Sequence, residues 1–196
     1  DVYKRQGRKS VKIYFDGDSW TRGSDLDDER RLSLRFSGLV SKELGAEEYN
    51  ISKSGKSNHS IVRHLLLEND ISQYDLAIIQ MSFPNRMEYY DDEEVRVEKK
   101  WKHISMGSLK NSEFWKQYYK EIYNDTYGLT YEQIFAITIR NHCKANNVKC
   151  ILLSNNYQTD VKFDLQLQHR KYHQGNNFHP NEEGHRLIAN DLLRLL

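Results

Sequence analysis

Cysteine is scarce in this chain of 196 residues. Its two cysteines, Cys143 and Cys150, are too few for a disulfide framework and have no further cysteines to complete a zinc site. Cys143 falls on a predicted helical face and Cys150 in an apolar strand, so both are expected to be buried, reduced thiols with no catalytic part. An excess of one charge is also missing. The 29 basic and 28 acidic residues are interspersed, for a formal net charge of +1, and offer no basic face or acidic tail to nucleic acid or membrane. No apolar run approaches the roughly 20 residues of a membrane helix, and Asp1-Val2-Tyr3-Lys4-Arg5-Gln6 lacks the apolar centre of a signal peptide. A cytoplasmic location is the expectation, with Asp1 to Ser10 set aside as a non-native N-terminal segment. Nothing reads as a linker, and the length suits one core better than two, so a single domain over residues 11–196 is expected.

Short apolar runs alternate with amphipathic segments, a pattern that predicts parallel strands joined by crossover helices. Val11 to Phe15, Asp75 to Met81 and Val148 to Ser154 are brief and bounded by polar or turn residues, as buried strands are. Glu48 to Ile51 makes a shorter fourth. Leu32 to Leu44 places Phe36, Val40 and Leu44 four apart and stops at Gly45, which predicts one helix with a glycine cap. Asn58 to Asn69 repeats the logic, with Ile61 over Leu65 and Val62 over Leu66. Thr130-Tyr131-Glu132-Gln133 has capping-box spacing and predicts the start of a helix lined by Phe135, Ile139 and Cys143. A last helix from about Asn181 to Leu196 is expected to bury Leu187, Ile188, Leu192 and Leu195.

The region from about 86 to 128 departs from this rhythm and reads as an insertion, dense in charge and in aromatics such as Trp101, Trp115, Tyr118, Tyr119, Tyr123 and Tyr127. Phe114, Tyr118 and Ile122 lie at helical spacing, so a helix with a broad aromatic face is expected there. That face either packs on the domain or serves as a lid or substrate platform.

The chemistry concentrates at two distant points. Gly17-Asp18-Ser19-Trp20 follows the first apolar run, and His179-Pro180-Asn181 precedes the last helix. A serine hydroxyl needs a base to take its proton, and the tetrahedral intermediate that follows needs donors facing its oxyanion. Ser19 falls at the carboxyl end of a strand, where open parallel sheets place their ligand crevice. His179 is positioned to reach the same edge.

In these blocks the chain resembles the SGNH or GDSL hydrolase superfamily, from Val11 onward. That resemblance implies a three-layer α/β/α sandwich with a mostly parallel, flavodoxin-like sheet, and a serine esterase acting through an acyl-enzyme. Phe15-Asp16-Gly17-Asp18-Ser19-Trp20 matches the nucleophile block and implies Ser19 as nucleophile, with its backbone N–H as an oxyanion donor. Ser54-Gly55-Lys56-Ser57-Asn58 would be the second block, with the Gly55 N–H as another donor. Asn176-Asn177-Phe178-His179-Pro180-Asn181 resembles the closing block and implies His179 as the base. Trp20, Asn58 and Arg86 are expected to touch substrate. The resemblance implies no cofactor and makes a small acyl ester, such as an O-acetyl group on carbohydrate, the expected substrate.

Two departures from the family pattern stand out. In place of Gly-x-Asn-Asp after the second strand the chain has Gln80-Met81-Ser82-Phe83-Pro84-Asn85-Arg86, which leaves Asn85 as the candidate side-chain donor. Asn176 stands three before His179, where the family usually has aspartate. Asparagine can fix an imidazole's orientation but not stabilise imidazolium by charge, a change that costs a serine-protease triad about ten-thousandfold. Asp160 or Asp164 could orient His179 instead, or Ser19 and His179 could act as a dyad.

Two rival readings use the same residues. One is an SGNH-fold binding or structural protein that has lost catalysis, since function resides in the site and not in the scaffold. The other is a haloacid-dehalogenase-like phosphatase using Asp16, Asp18 and a bound magnesium, with Leu152-Leu153-Ser154 as its second motif; it finds no acidic pair downstream and leaves His179 unexplained. The remaining histidines, His59, His64, His103, His142, His169, His173 and His185, show no ligand-like clustering, and no metal site is expected.

Overall fold

Every apolar run predicted as a strand enters one parallel sheet. The computed structural model describes residues 10–105, 112–155, 159, 161–172 and 179–196. The chain opens with β1 (Lys12–Asp16), the single-turn α1 (Ser19–Arg22), α2 (Arg31–Leu34), α3 (Phe36–Glu43), β2 (Glu47–Asn50) and α4 (Asn58–Arg63), which continues as a π-helical turn over His64–Glu68. It proceeds through β3 (Leu76–Met81), β4 (Met87–Tyr90), β5 (Trp101–Ile104), α5 (Glu113–Glu121) and α6 (Asp125–Ala145). It closes with β6 (Lys149–Ser154), β7 (Leu165–Gln166), α7 (His169–Tyr172) and α8 (Glu182–Leu195). Among the described residues the main sheet has the order β2-β1-β3-β6-β7 with every pairing parallel, while β4 and β5 form a separate antiparallel hairpin.

Alternation along the strands builds the three layers. Ile13 and Phe15 of β1, Ile78 of β3 and Leu153 of β6 face a core shared with Phe36 and Val40 of α3 and Ile188 and Leu192 of α8. Tyr14, Ala77, Ile79 and Leu152 face the other side, toward Ile61 of α4 and Ala136, Ile139 and Cys143 of α6. Both faces of β3 are buried, and its six residues are accordingly almost wholly apolar. The strand order places β1 where crossovers leave in opposite directions, so the carboxyl ends of β1 and β3 border the crevice that such sheets offer to ligands.

Three expectations need correction. The helix predicted over Leu32 to Leu44 is two helices, broken at Arg35, whose backbone is extended (φ −66, ψ 149). The break removes an intrahelical acceptor, and the buried His185 supplies another, its Nδ1 accepting the Phe36 N–H at 3.2 Å. The helix expected from Thr130 begins at Asp125, because the Asn124 side chain caps it by accepting the Tyr127 N–H, while the Thr130 hydroxyl donates to the Thr126 carbonyl inside the helix. Leu195 and, on α5, Phe114 and Ile122 are exposed. The buried side of α5 carries Tyr119 instead, whose hydroxyl donates to the Asn85 carbonyl at 2.5 Å and ties the insertion to the turn after β3.

Candidate active site

Ser19 opens α1, three residues beyond β1. Asp18 caps that turn by accepting the Trp20 N–H at 3.0 Å, and Ser19, as the first helical residue, has no intrahelical acceptor for its own N–H. The turn ends at Gly23, in the left-handed region at φ 77, whose N–H bonds back to the Ser19 and Trp20 carbonyls. A residue with a side chain is strained there, and the reversal sends Ser24 and Asp25 back past Ser19.

His179 comes from 160 residues away. Asn181 caps α8 through the Gly184 N–H at 3.0 Å, and Gly184 is needed for close approach, since a Cβ there would lie 2.0 Å from the Tyr172 carbonyl oxygen. The Pro180-Asn181-Glu182-Glu183-Gly184 segment thus docks α8 on the end of α7 and fixes the residue just before it. His179 Nε2 lies 2.9 Å from Ser19 Oγ. Its Nδ1 lies 3.2 Å from Asp25 Oδ1, a charge-pair distance whose alignment falls short of a hydrogen bond. Asp25 is thus the acid beside the imidazole among the described residues, and sequence reasoning missed it by searching only near the C-terminus. Asp164, one of the acids considered, instead pairs with Arg140 at 3.0 Å and accepts the Leu152 N–H. Asn176, Asp160 and His173 lie outside the described residues.

Beneath Ser19 sits a buried polar network. Asp16 accepts bonds from the Gly17 N–H at 2.7 Å, Lys56 Nζ at 2.5 Å and the Tyr14 hydroxyl at 3.3 Å, and neither Asp16 nor Lys56 meets solvent. Burial pushes the Asp16 carboxyl up and the Lys56 ammonium down, while their mutual attraction opposes both shifts. Asp18 is equally saturated, bonded by Gln80 Nε2 and Arg86 Nη1, each at 2.8 Å, as well as by Trp20. Both carboxylates that a phosphatase would use are therefore engaged by cations of the chain itself.

A cavity of about 340 Å³ opens over this network, lined by Ser19, His179, Trp20 and Arg86 together with Asp18, Phe83, Asn155 and His169. Four of the predicted site residues thus share one space. Gly55, Asn58 and Asn85 are not among its lining residues. Gly55 occupies a turn at φ 75. Asn58 makes a reciprocal pair with the Ser82 backbone, at 2.9 and 2.6 Å, and so fixes the turn after β3. His185 is stacked on Phe36, its rings' centroids 5.9 Å apart, and burial, aided by the charge of Arg35, holds its imidazole neutral with a pKa pushed down to about 3.

No protein-family model matches the chain, and no curated protein sequence does. Solved structures do match over nearly the whole length. An acetyl-xylooligosaccharide esterase from a Geobacillus, in a mutant form, is 15% identical with a TM-score of 0.56, covering 94% of this chain and 93% of its own. A psychrotrophic esterase from Pseudoalteromonas is 12% identical with a TM-score of 0.54, covering 93% and 94%. A GDSL-like lipase from Bacteroides thetaiotaomicron is 13% identical with a TM-score of 0.54, covering 97% and 90%. At these identities the likeness is one of fold: the chain has the α/β architecture of the SGNH/GDSL hydrolases.

Proposed function

We propose that this protein is a serine esterase acting on a small acyl ester. Ser19 Oγ attacks the acyl carbon as His179 Nε2 takes its proton. Asp25, facing the other ring nitrogen, orients the imidazole and stabilises the imidazolium. The Ser19 N–H, at the open end of α1, is assigned to the oxyanion, a donor worth roughly 3 kcal/mol of transition-state stabilisation, whereas Gly55 and Asn85, which do not line the cavity, keep no assigned role. His179 then returns its proton to the leaving alcohol, giving an acyl-enzyme that water hydrolyses with the same residue as base. Trp20 and Arg86 are assigned to substrate contact.

The observation that carries this reading is the 2.9 Å approach of Ser19 Oγ to His179 Nε2, with Asp25 on the far nitrogen. Structural neighbours that include an acetyl xylan esterase and an acetyl-xylooligosaccharide esterase favour an O-acetylated sugar as substrate. Incubation with a fluorophosphonate probe is expected to label the wild type at Ser19, read by peptide mass, and to leave Ser19→Ala unlabelled. A folded wild-type protein that takes no label carries an inert serine and is a binding protein on a hydrolase scaffold.

A further inference from the structure

Three strands deliver side chains to the cavity. The first two bring Ser19 and Arg86; the third, β6, brings Asn155 from the position immediately after its last residue. Asn155 is 5% exposed, and its Oδ1, which has almost no accessible surface, meets no hydrogen-bond partner among the described residues. A buried amide oxygen left unmet costs about 1–3 kcal/mol, and such groups in folded proteins call for an explanation. A leucine of similar size would line the cavity without that cost. The amide is accounted for if its partner arrives with the substrate.

The neighbouring groups narrow what that partner is. Arg86 spends Nη1 on Asp18 and Ser82, at 2.8 and 2.7 Å, which leaves Nε and Nη2 without partners among the described residues. Its guanidinium lies over the ring of Phe83, 5.0 Å from the centroid, and Phe83 is 40% exposed. The cavity wall therefore presents spare donors at Arg86 and an apolar ring, and Asn155 adds an unmet acceptor that has no exposed surface until its amide turns toward the cavity. A carboxylate would satisfy Arg86 but has no hydrogen for Asn155. A hydroxyl serves both, donating to Oδ1 while its oxygen or a neighbour's accepts from Arg86, with a C–H face left for Phe83.

We propose that Asn155 is a specificity-determining residue, which selects esters whose alcohol part carries a free hydroxyl near the acylated oxygen. This inference rests on the esterase reading and adds to it a requirement on the leaving group. Sites built to bond a substrate hydroxyl reject analogues lacking it far more strongly than apolar pockets reject a methylene.

The test measures acetate release from a mono-O-acetylated methyl xyloside with free hydroxyls and from the same ester with its hydroxyls O-methylated, beside an aryl acetate. Wild type is expected to favour the free-hydroxyl ester by ~100-fold or more in kcat/KM. Asn155→Leu is expected to bring that ratio within about 5-fold, and Asn155→Asp, which keeps an acceptor, to retain most of it. Equal rates for the two sugar esters in wild type, hydrolysis of the aryl acetate alone, or an unchanged ratio in Asn155→Leu overturns the inference and leaves the esterase reading standing. A folded wild type inert toward all three esters overturns both.

Discussion

The acids on the two sides of Ser19 occupy different surroundings. Asp16 and Asp18, just before it, are buried and bonded on both oxygens, by Lys56, Tyr14 and the backbone in one case and by Gln80, Arg86 and the backbone in the other. Asp25, six residues after Ser19, keeps a quarter of its side chain in solvent and meets His179 through one oxygen. The first pair holds the strand end and its turn in place. The second acid is free to respond as the imidazole gains and loses charge. On the esterase reading, rigid placement of the nucleophile and a responsive partner for the base are separate demands, and they fall to separate carboxylates.

The contrast is broken first by removing the responsive charge. Asp25→Asn is expected to lower kcat on an aryl acetate by roughly 10³- to 10⁴-fold while leaving the denaturation midpoint within a few degrees of wild type. Asn176→Asp, made in the wild-type background, is expected to give no gain. A faster Asn176→Asp protein together with an indifferent Asp25→Asn would return the orienting role to the C-terminal block. Chemical denaturation tests the other half. Lys56→Met strands the buried Asp16 charge and is expected to cost about 3–5 kcal/mol of stability, much of it recovered in the Asp16→Asn, Lys56→Met double variant. A loss below 1 kcal/mol would show that the pair does not hold the strand end.

The two histidines bordering this edge repeat the contrast on a smaller scale. His185, buried and neutral with a pKa near 3, gives no pH dependence above its unfolded value of about 6.5. As pH falls through the interval from 6.5 to 3 the unfolded chain takes up a proton that the folded one refuses, so stability drops by about 1.4 kcal/mol per unit. His185→Gln, which retains an acceptor for the Phe36 N–H, is expected to lack that component. The wild-type advantage over the variant should therefore shrink by this amount per pH unit between 6 and 4, and parallel curves would reject the buried-neutral assignment.

Much of the scaffold was legible because the central strands are buried on both faces, which leaves continuous apolar runs such as Leu76 to Met81. Ser19 and His179 were legible as residue types at a strand end and before a helix. Asp25 was not, because its place depends on the left-handed turn at Gly23; glycine four residues after the nucleophile was the available signal. Nothing in the sequence sets Lys56 apart within its block, and only the fold reveals its pairing with the buried Asp16. The break at Arg35 was hidden for the same reason, since the acceptor that replaces the lost bond belongs to His185, 149 residues away from Phe36. Asn155 left no trace at all, its unmet oxygen being a property of packing.

The spacing of the three site residues has a consequence for the order in which the protein is made. Ser19 and Asp25 emerge from the ribosome almost together, whereas His179 follows 160 residues after the serine and is held by the docking of α8. Domains begin to assemble from their N-terminal parts during translation. On the esterase reading, a nascent chain therefore carries its nucleophile without a base while the 160 residues between them are made, and the hydroxyl is armed only when α8 seats.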